Sequence, residues 1–262
     1  MPKVAIVAAL EREVRGLTRS SNRVEQRYEG RSFIFFERDE MVVVCGGIGL
    51  EAARRAAEAV IALYRPTLVQ SVGFAGALDG SLRVGDVFSA AVVIDARDGT
   101  RVEIDGAGRH GALVSFMAIA GVKQKASLAQ AYGAQAVDME ASAVAAAARA
   151  RGLQFGAIKV ISDESSFEMP EMARFLDAWG RFRTPAFTLF IALRPWLWSR
   201  VARLASNSRK AAKALGEHLE RFQHELSQAS GRMSEKIAAP PPPARPAPQA
   251  AASTELSARS HE

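Results

Sequence analysis

With 262 residues, 48% of them hydrophobic, the chain is long enough to bury a full core, and a shift in composition near Gly231 points to one globular domain followed by a tail. The formal net charge of +6 is concentrated between Arg174 and Arg232, which favours an anionic partner surface, and no recognised nucleic-acid motif accompanies it. The lone Cys45 rules out an internal disulfide, and no apolar run reaches the ~18 residues of a membrane span.

Val4 to Leu10 is an apolar run with β-branched residues and is followed at once by Glu11, Arg12 and Glu13. It predicts a central buried strand whose carboxyl end delivers a carboxylate. Glu11 also interrupts the run too early for a signal peptide, so a reducing, cytoplasmic setting is expected, with Cys45 an inert residue in an apolar strand. Phe33 to Glu37 and Met41 to Gly46 predict a hairpin. The turn Gly46-Gly47-Ile48-Gly49 then opens a helix from Glu51 to Tyr64. Such a turn lets backbone amides approach an anion or a sugar, with Ile48 beside it, or serves only as a tight turn.

Thr67 to Val72 is the next buried strand, ending in Gly73-Phe74-Ala75-Gly76-Ala77. Small residues around one phenylalanine leave room for a ligand against the backbone and offer a ring to pack on it. Leu82 to Ile94 leads through a turn into another strand, and residues 95–111 read as a loop or short hairpin. Leu113 to Ala120 is strand-like, and Lys123 to Tyr132 is a short helix.

The stretch from Ala134 to Ser166 carries the densest signal. Gln135 to Met139 predicts a strand, the Ala-rich run to Arg151 a helix stopped by Gly152, and Phe155 to Ile161 a second, parallel strand. Asp138 and Glu140 end the first strand, and Asp163 and Glu164 end the second. Acids converging at strand ends mark a candidate catalytic site; the plainer alternative is an acid near a helix start and a loop acid. Strands alternating with helices give an α/β fold with a mainly parallel sheet.

Past Ser166 large apolar groups crowd among arginines. Phe167, Met169, Phe175, Leu176, Trp179 and Phe182 are interleaved with Arg174 and Arg181, and Trp196, Leu197 and Trp198 with Arg194 and Arg200. For Phe175 to Trp179 a core helix is expected. For Thr184 to Leu204 an interfacial membrane segment and a core segment both stay open. Ser206 to Ser227 reads as a charged peripheral helix, and the proline and alanine run beyond Gly231 as an extended or disordered tail.

Four segments, Val4 to Val14, Val44 to Ala52, Val69 to Val87 and Ala136 to Asp163, resemble the nucleoside phosphorylase superfamily, especially its methylthioadenosine and S-adenosylhomocysteine nucleosidase branch. Within it the runs Ala136 to Ser142 and Ile161 to Glu164, the segment RFRTPAFTLFIALRPWLW and a compact middle from Ala112 to Tyr132 are similar to the hopanoid-associated phosphorylase. The resemblance implies a three-layer α/β catalytic domain over residues 1–205, followed by the peripheral helix (206–230) and the tail (231–262). It implies release of adenine from a 5'-modified adenosine, with adenosylhopane first and methylthioadenosine or S-adenosylhomocysteine second. A purine-binding or membrane-adaptor module without activity is the reading outside enzymology.

Carried over by likeness, Asp163 protonates the leaving purine at N7, Glu140 holds the ribose hydroxyls, Met139 packs on the sugar, and Glu13 deprotonates the attacking water. Gly73, Phe74, Ala75, Gly76, Ile48 and Phe116 complete the expected contacts. Phe74 stands where the nucleosidases commonly have a serine, Met117 where they often have an acid, and Ile119 where an aromatic stacks on the base. Phe74 or Phe116 is therefore expected to supply the ring. The resemblance implies no metal and no cofactor, with phosphate entering only as a co-substrate, and a homo-oligomer as partner state.

Overall fold

The computed structural model describes residues 3–104, 106, 111–168, 175, 177 and 183–238. The chain divides into a unit Met1–Ser227 and a unit Gln228–Glu262. All that follows concerns the first.

Apolar, β-branched runs build one mixed sheet. Strand β1 (Val4–Ala8) is buried at every position and pairs in parallel with β4 (Met41–Cys45) and β5 (Leu68–Ala77) on its two sides. From β4 the antiparallel strands β3 (Arg31–Arg38) and β2 (Asn22–Tyr28) lead to one edge. The far half of β5 pairs antiparallel with β10 (Ala136–Asp138), which continues through β9 (Ala112–Ser115) and β7 (Val92–Asp95) to β8 (Arg101–Glu103). Strand β11 (Gln154–Asp163) runs parallel along the opposite side of β5 and carries β6 (Val87–Ser89).

Because side chains alternate along a strand, β1 feeds two cores. Ala5 and Val7 meet helix α2 (Leu50–Tyr64) and helix α4 (Ala141–Arg149), whose alanines permit close approach. Val4, Ile6 and Ala8 face the other way, toward Val14 and Leu17 at helix α1 (Arg15–Thr18) and toward Ala211, Leu215 and Leu219 of a long C-terminal helix. The result is the expected mixed α/β sheet covered by helices on both faces. Helix α3 (Val122–Tyr132) packs beside β9, and helix α5 (Thr184–Ala192) leads through a 3₁₀ turn at Pro195–Leu197 into the long helix α6 (Trp198–Ala238).

Several expectations change. Strands β10 and β11 do not form a parallel βαβ pair: they flank opposite sides of β5, and β10 runs antiparallel to it. Gly73 to Ala77 is strand, not a loop after one. Strand β2 escaped notice because its NRVEQRY sequence is charged and lies at the sheet edge. The boundary at residue 205 falls inside α6, and Leu215 and Leu219 of the supposedly peripheral stretch are fully buried. Three apolar residues spaced four apart suffice to dock a helix whose remaining faces are charged. Met169, Arg174, Leu176, Trp179, Arg181, Phe182 and the tail from residue 239 lie outside the described residues.

Candidate active site

At the tips of β5, β10 and β11 the sheet opens into a cavity of about 160 Å³. Carboxylates line it from three elements: Glu13 from the turn after β1, Asp138 and Glu140 from the end of β10, and Asp163 from the end of β11. Ile48, Phe74, Ala75, Gly76 and Met139 line it too, so the expected contacts converge. Two of them need qualification. Gly73 lies behind the wall, where an added Cβ would stand 2.9 Å from Glu13 Oε2; it makes room for that carboxylate rather than for a ligand. Phe116 is not among the residues that line the cavity: it packs on the cluster of Ile94, Val114 and Leu128, while its backbone N–H donates to the carbonyl of Asp138 at 2.8 Å. Ile119 and Phe74 stand among the cavity's apolar walls, with Leu10, Ile48, Val137 and Met139.

Glu13 and Glu140 are set by backbone amides. Glu140 Oε1 accepts from the Gly49 N–H at 2.9 Å and Oε2 from the Met139 N–H at 3.2 Å, while Glu13 Oε2 accepts from the Leu10 N–H at 3.4 Å. The Gly46-to-Gly49 turn thus holds a carboxylate. The Gly46 and Gly47 amides donate to the carbonyls of Ala8 and Ala9. Burial, reinforced by Glu140, pushes the Glu13 carboxyl up to about 7; burial and the Asp138 charge push Glu140 up to about 7 as well. Cys45, nearby, has its thiol raised to about 12 by burial and stays an inert thiol.

Two buried lysines, absent from the expected set, complete the site. Lys159 Nζ sits 2.8 Å from Asp138 Oδ2 and 3.1 Å from Ser71 Oγ; its acidic neighbours outweigh burial and raise its affinity for the proton. Asp138 is further fixed by Ser115 Oγ at 2.6 Å and the Ala141 N–H at 2.9 Å, making it a structural anchor for Lys159. Lys125 Nζ lies 2.5 Å from Asp163 Oδ2 and 2.7 Å from the Glu164 carbonyl. Lys159 was legible, since a lone lysine inside FGAIKVIS requires a buried counter-ion. Lys125, on a mixed-polarity helix, gave no such signal.

A carboxylate-lined cavity at the strand tips of a mixed α/β sheet is a candidate small-molecule site. The sequence pattern of the phosphorylase superfamily matches residues 3–120 and 115–184, and the chain belongs to that superfamily. A 5'-methylthioadenosine/S-adenosylhomocysteine nucleosidase from Buchnera aphidicola is 28% identical over 88 residues, which cover 32% of this chain and 37% of that relative, so the chain matches only about a third of its length. Among solved structures, the futalosine hydrolase of Helicobacter pylori superposes with a TM-score of 0.61 at 18% identity, over 84% of this chain and 98% of the other. A nucleosidase of the same methylthioadenosine type from Colwellia psychrerythraea, in complex with adenine, gives 0.55 at 22%, over 62% and 83%. These likenesses bear out the fold.

Proposed function

We propose that the protein hydrolyses the N-glycosidic bond of a 5'-modified adenosine and releases adenine. The observation that carries this is the meeting of Glu13, Glu140 and Asp163 around one cavity. Breaking a ribose-to-purine bond builds positive charge on the sugar and negative charge on the base, so carboxylates belong on one side and a proton source on the other. Glu140, aimed by two amides, accepts from the ribose hydroxyls, with Met139 against the sugar. Glu13, poised near 7, takes a proton from water as its oxygen attacks the anomeric carbon. Asp163, across the cavity, belongs to the base end.

Water is favoured over phosphate as the nucleophile because four carboxylates, Glu13, Asp138, Glu140 and Asp163, line the cavity against two cations, Arg12 and Lys125, the second of them ion-paired with Asp163. Phosphate dependence of adenine release tests this directly. A rate that stays constant from zero to millimolar phosphate is expected; one that needs phosphate would reassign the reaction as phosphorolysis.

For the 5' group we favour a lipid, of the hopane type implied by the sequence resemblance. Its support is the surface after β11. Phe175 is buried against Phe187 and Phe190, but Leu193, Trp196 and Trp198 are 68%, 70% and 55% exposed. Basic residues recur from Arg183 to Lys213 with no acid among them. Exposed aromatics among cations suit the interface of an anionic bilayer, where a lipid-linked nucleoside would be met. Among the described residues no helix is long and apolar enough to cross a membrane. The thioadenosine reading is favoured by the Buchnera relative. Adenine release from adenosylhopane in vesicles and from methylthioadenosine in solution separates the two, and activity confined to the thioether would overturn the lipid reading.

A further inference from the structure

We propose that the proton required by the departing purine is held by Lys125, and that Asp163 is the carboxylate that positions its ammonium; this rests on the nucleosidase reading above. Lys125 lines the cavity yet is only 2% exposed. An ammonium has three N–H donors. One is directed to Asp163 Oδ2 and one to the Glu164 carbonyl, which leaves one for a ligand in the cavity. Asp163 Oδ1 lies 2.6 Å from Ser162 Oγ, whose single proton also has the Ala75 carbonyl at 3.3 Å as an acceptor, while Oδ2 accepts from the ammonium.

The fold makes specific room for this pair. A Cβ at Gly76 would stand 2.9 Å from Asp163 Oδ2 and 3.3 Å from Lys125 Cε, so the bare backbone of β5 lets both groups lie against it. Lys125 occupies the first turn of α3, whose starting amides are tied down by Gln124 Oε1 at 3.0 Å and Glu168 Oε2 at 3.3 Å. A buried ion pair is a weak source of stability, because desolvation offsets most of the attraction. Placed at the base end of a cavity, it has a chemical use instead.

In the step this implies, purine N7 takes a proton from Lys125 Nζ while the bond from the anomeric carbon to N9 breaks, its electron pair passing to the base. The ribosyl cation gains the oxygen of water, and the proton that water loses goes to Glu13. Adenine leaves neutral, Lys125 is left as an amine beside the Asp163 carboxylate, and Glu13 and Lys125 are reset by proton exchange with solvent.

Arginine separates donation from mere pairing, since it keeps a cation opposite Asp163 but does not surrender its proton at physiological pH. In the full chain, Lys125→Met and Lys125→Arg are each expected to lower kcat for adenine release by about 10²-fold, the scale of general-acid catalysis. Adenine affinity by calorimetry should stay within about threefold on the same scale of argument, since the base remains bound by the cavity walls. Near-normal turnover in either variant overturns the proposal, as does loss of adenine binding or of the fold in both. A wild-type protein that releases adenine from neither methylthioadenosine nor adenosylhopane instead removes the nucleosidase reading on which the proposal stands.

Discussion

The two ends of the cavity use the same kind of residue in opposite circumstances. At the end proposed for the sugar, Glu13 is buried and Glu140 half-buried; both accept from backbone amides, and both are raised to about 7 despite the Lys159 cation nearby. At the end proposed for the base, Asp163 is buried with an ammonium against it. The difference teaches that buried carboxyls of one cavity can be given different partners, an acid at one end and an ammonium at the other. Burial, reinforced by a neighbouring acid, poises one end to take up a proton, and the ion pair supplies the donor proposed for the other.

The largest effect should come from breaking the base end. Asp163→Asn removes the charge that holds Lys125, and kcat for adenine release is expected to fall about 10³-fold, within the range for acid catalysis. Steady-state kinetics check this, and a variant within tenfold of wild type would mean that the charge contrast has no catalytic consequence.

At the sugar end Glu13→Gln should lower kcat about 10²-fold. In the wild type, rate rises with pH as the two glutamates ionise near 7, because the base works only when deprotonated. Glu140→Gln relieves the repulsion on Glu13, so the rising limb of its residual activity should move to lower pH. A limb that stays in place would show that the two acids do not sense one another.

The smallest effect is on stability. Both glutamates have a folded-state pKa above the ordinary value of 4.5, so the folded chain binds more protons than the unfolded chain across the window from 4.5 to 7. Stability from these groups is therefore present at low pH and lost as pH rises through about 7. His218, lowered by burial, has the opposite sign in part of that window but is common to wild type and variant. The melting temperature of Glu140→Gln should accordingly fall less between pH 5 and pH 8 than that of the wild type, as scanning calorimetry can measure.

Much of this was legible from local sequence. The alternation of apolar runs and alanine-rich helices gave most strands and helices, and the positions of Glu13, Glu140 and Asp163 at the ends of such runs marked the acids that the fold gathers. Met139 followed from the family resemblance, and Ile48 was named within the glycine-rich turn. The direction of β10 did not follow, because a three-residue strand carries no signal for parallel or antiparallel pairing. Nor did the placing of Phe116, whose backbone N–H donates to Asp138 across 22 residues of chain.

By itself, then, the sequence determined which segments are strands, which are helices, and which acids stand at their ends, since propensity and periodicity act over neighbouring residues. Only the tertiary structure decided what faces those acids. Lys125 and Asp163 lie 38 positions apart, and Lys159 and Ser71 lie 88 apart. Such pairs are chosen by the packing of whole elements on β5, and the electrostatics of a buried site are fixed by its nearest partner in space rather than along the chain.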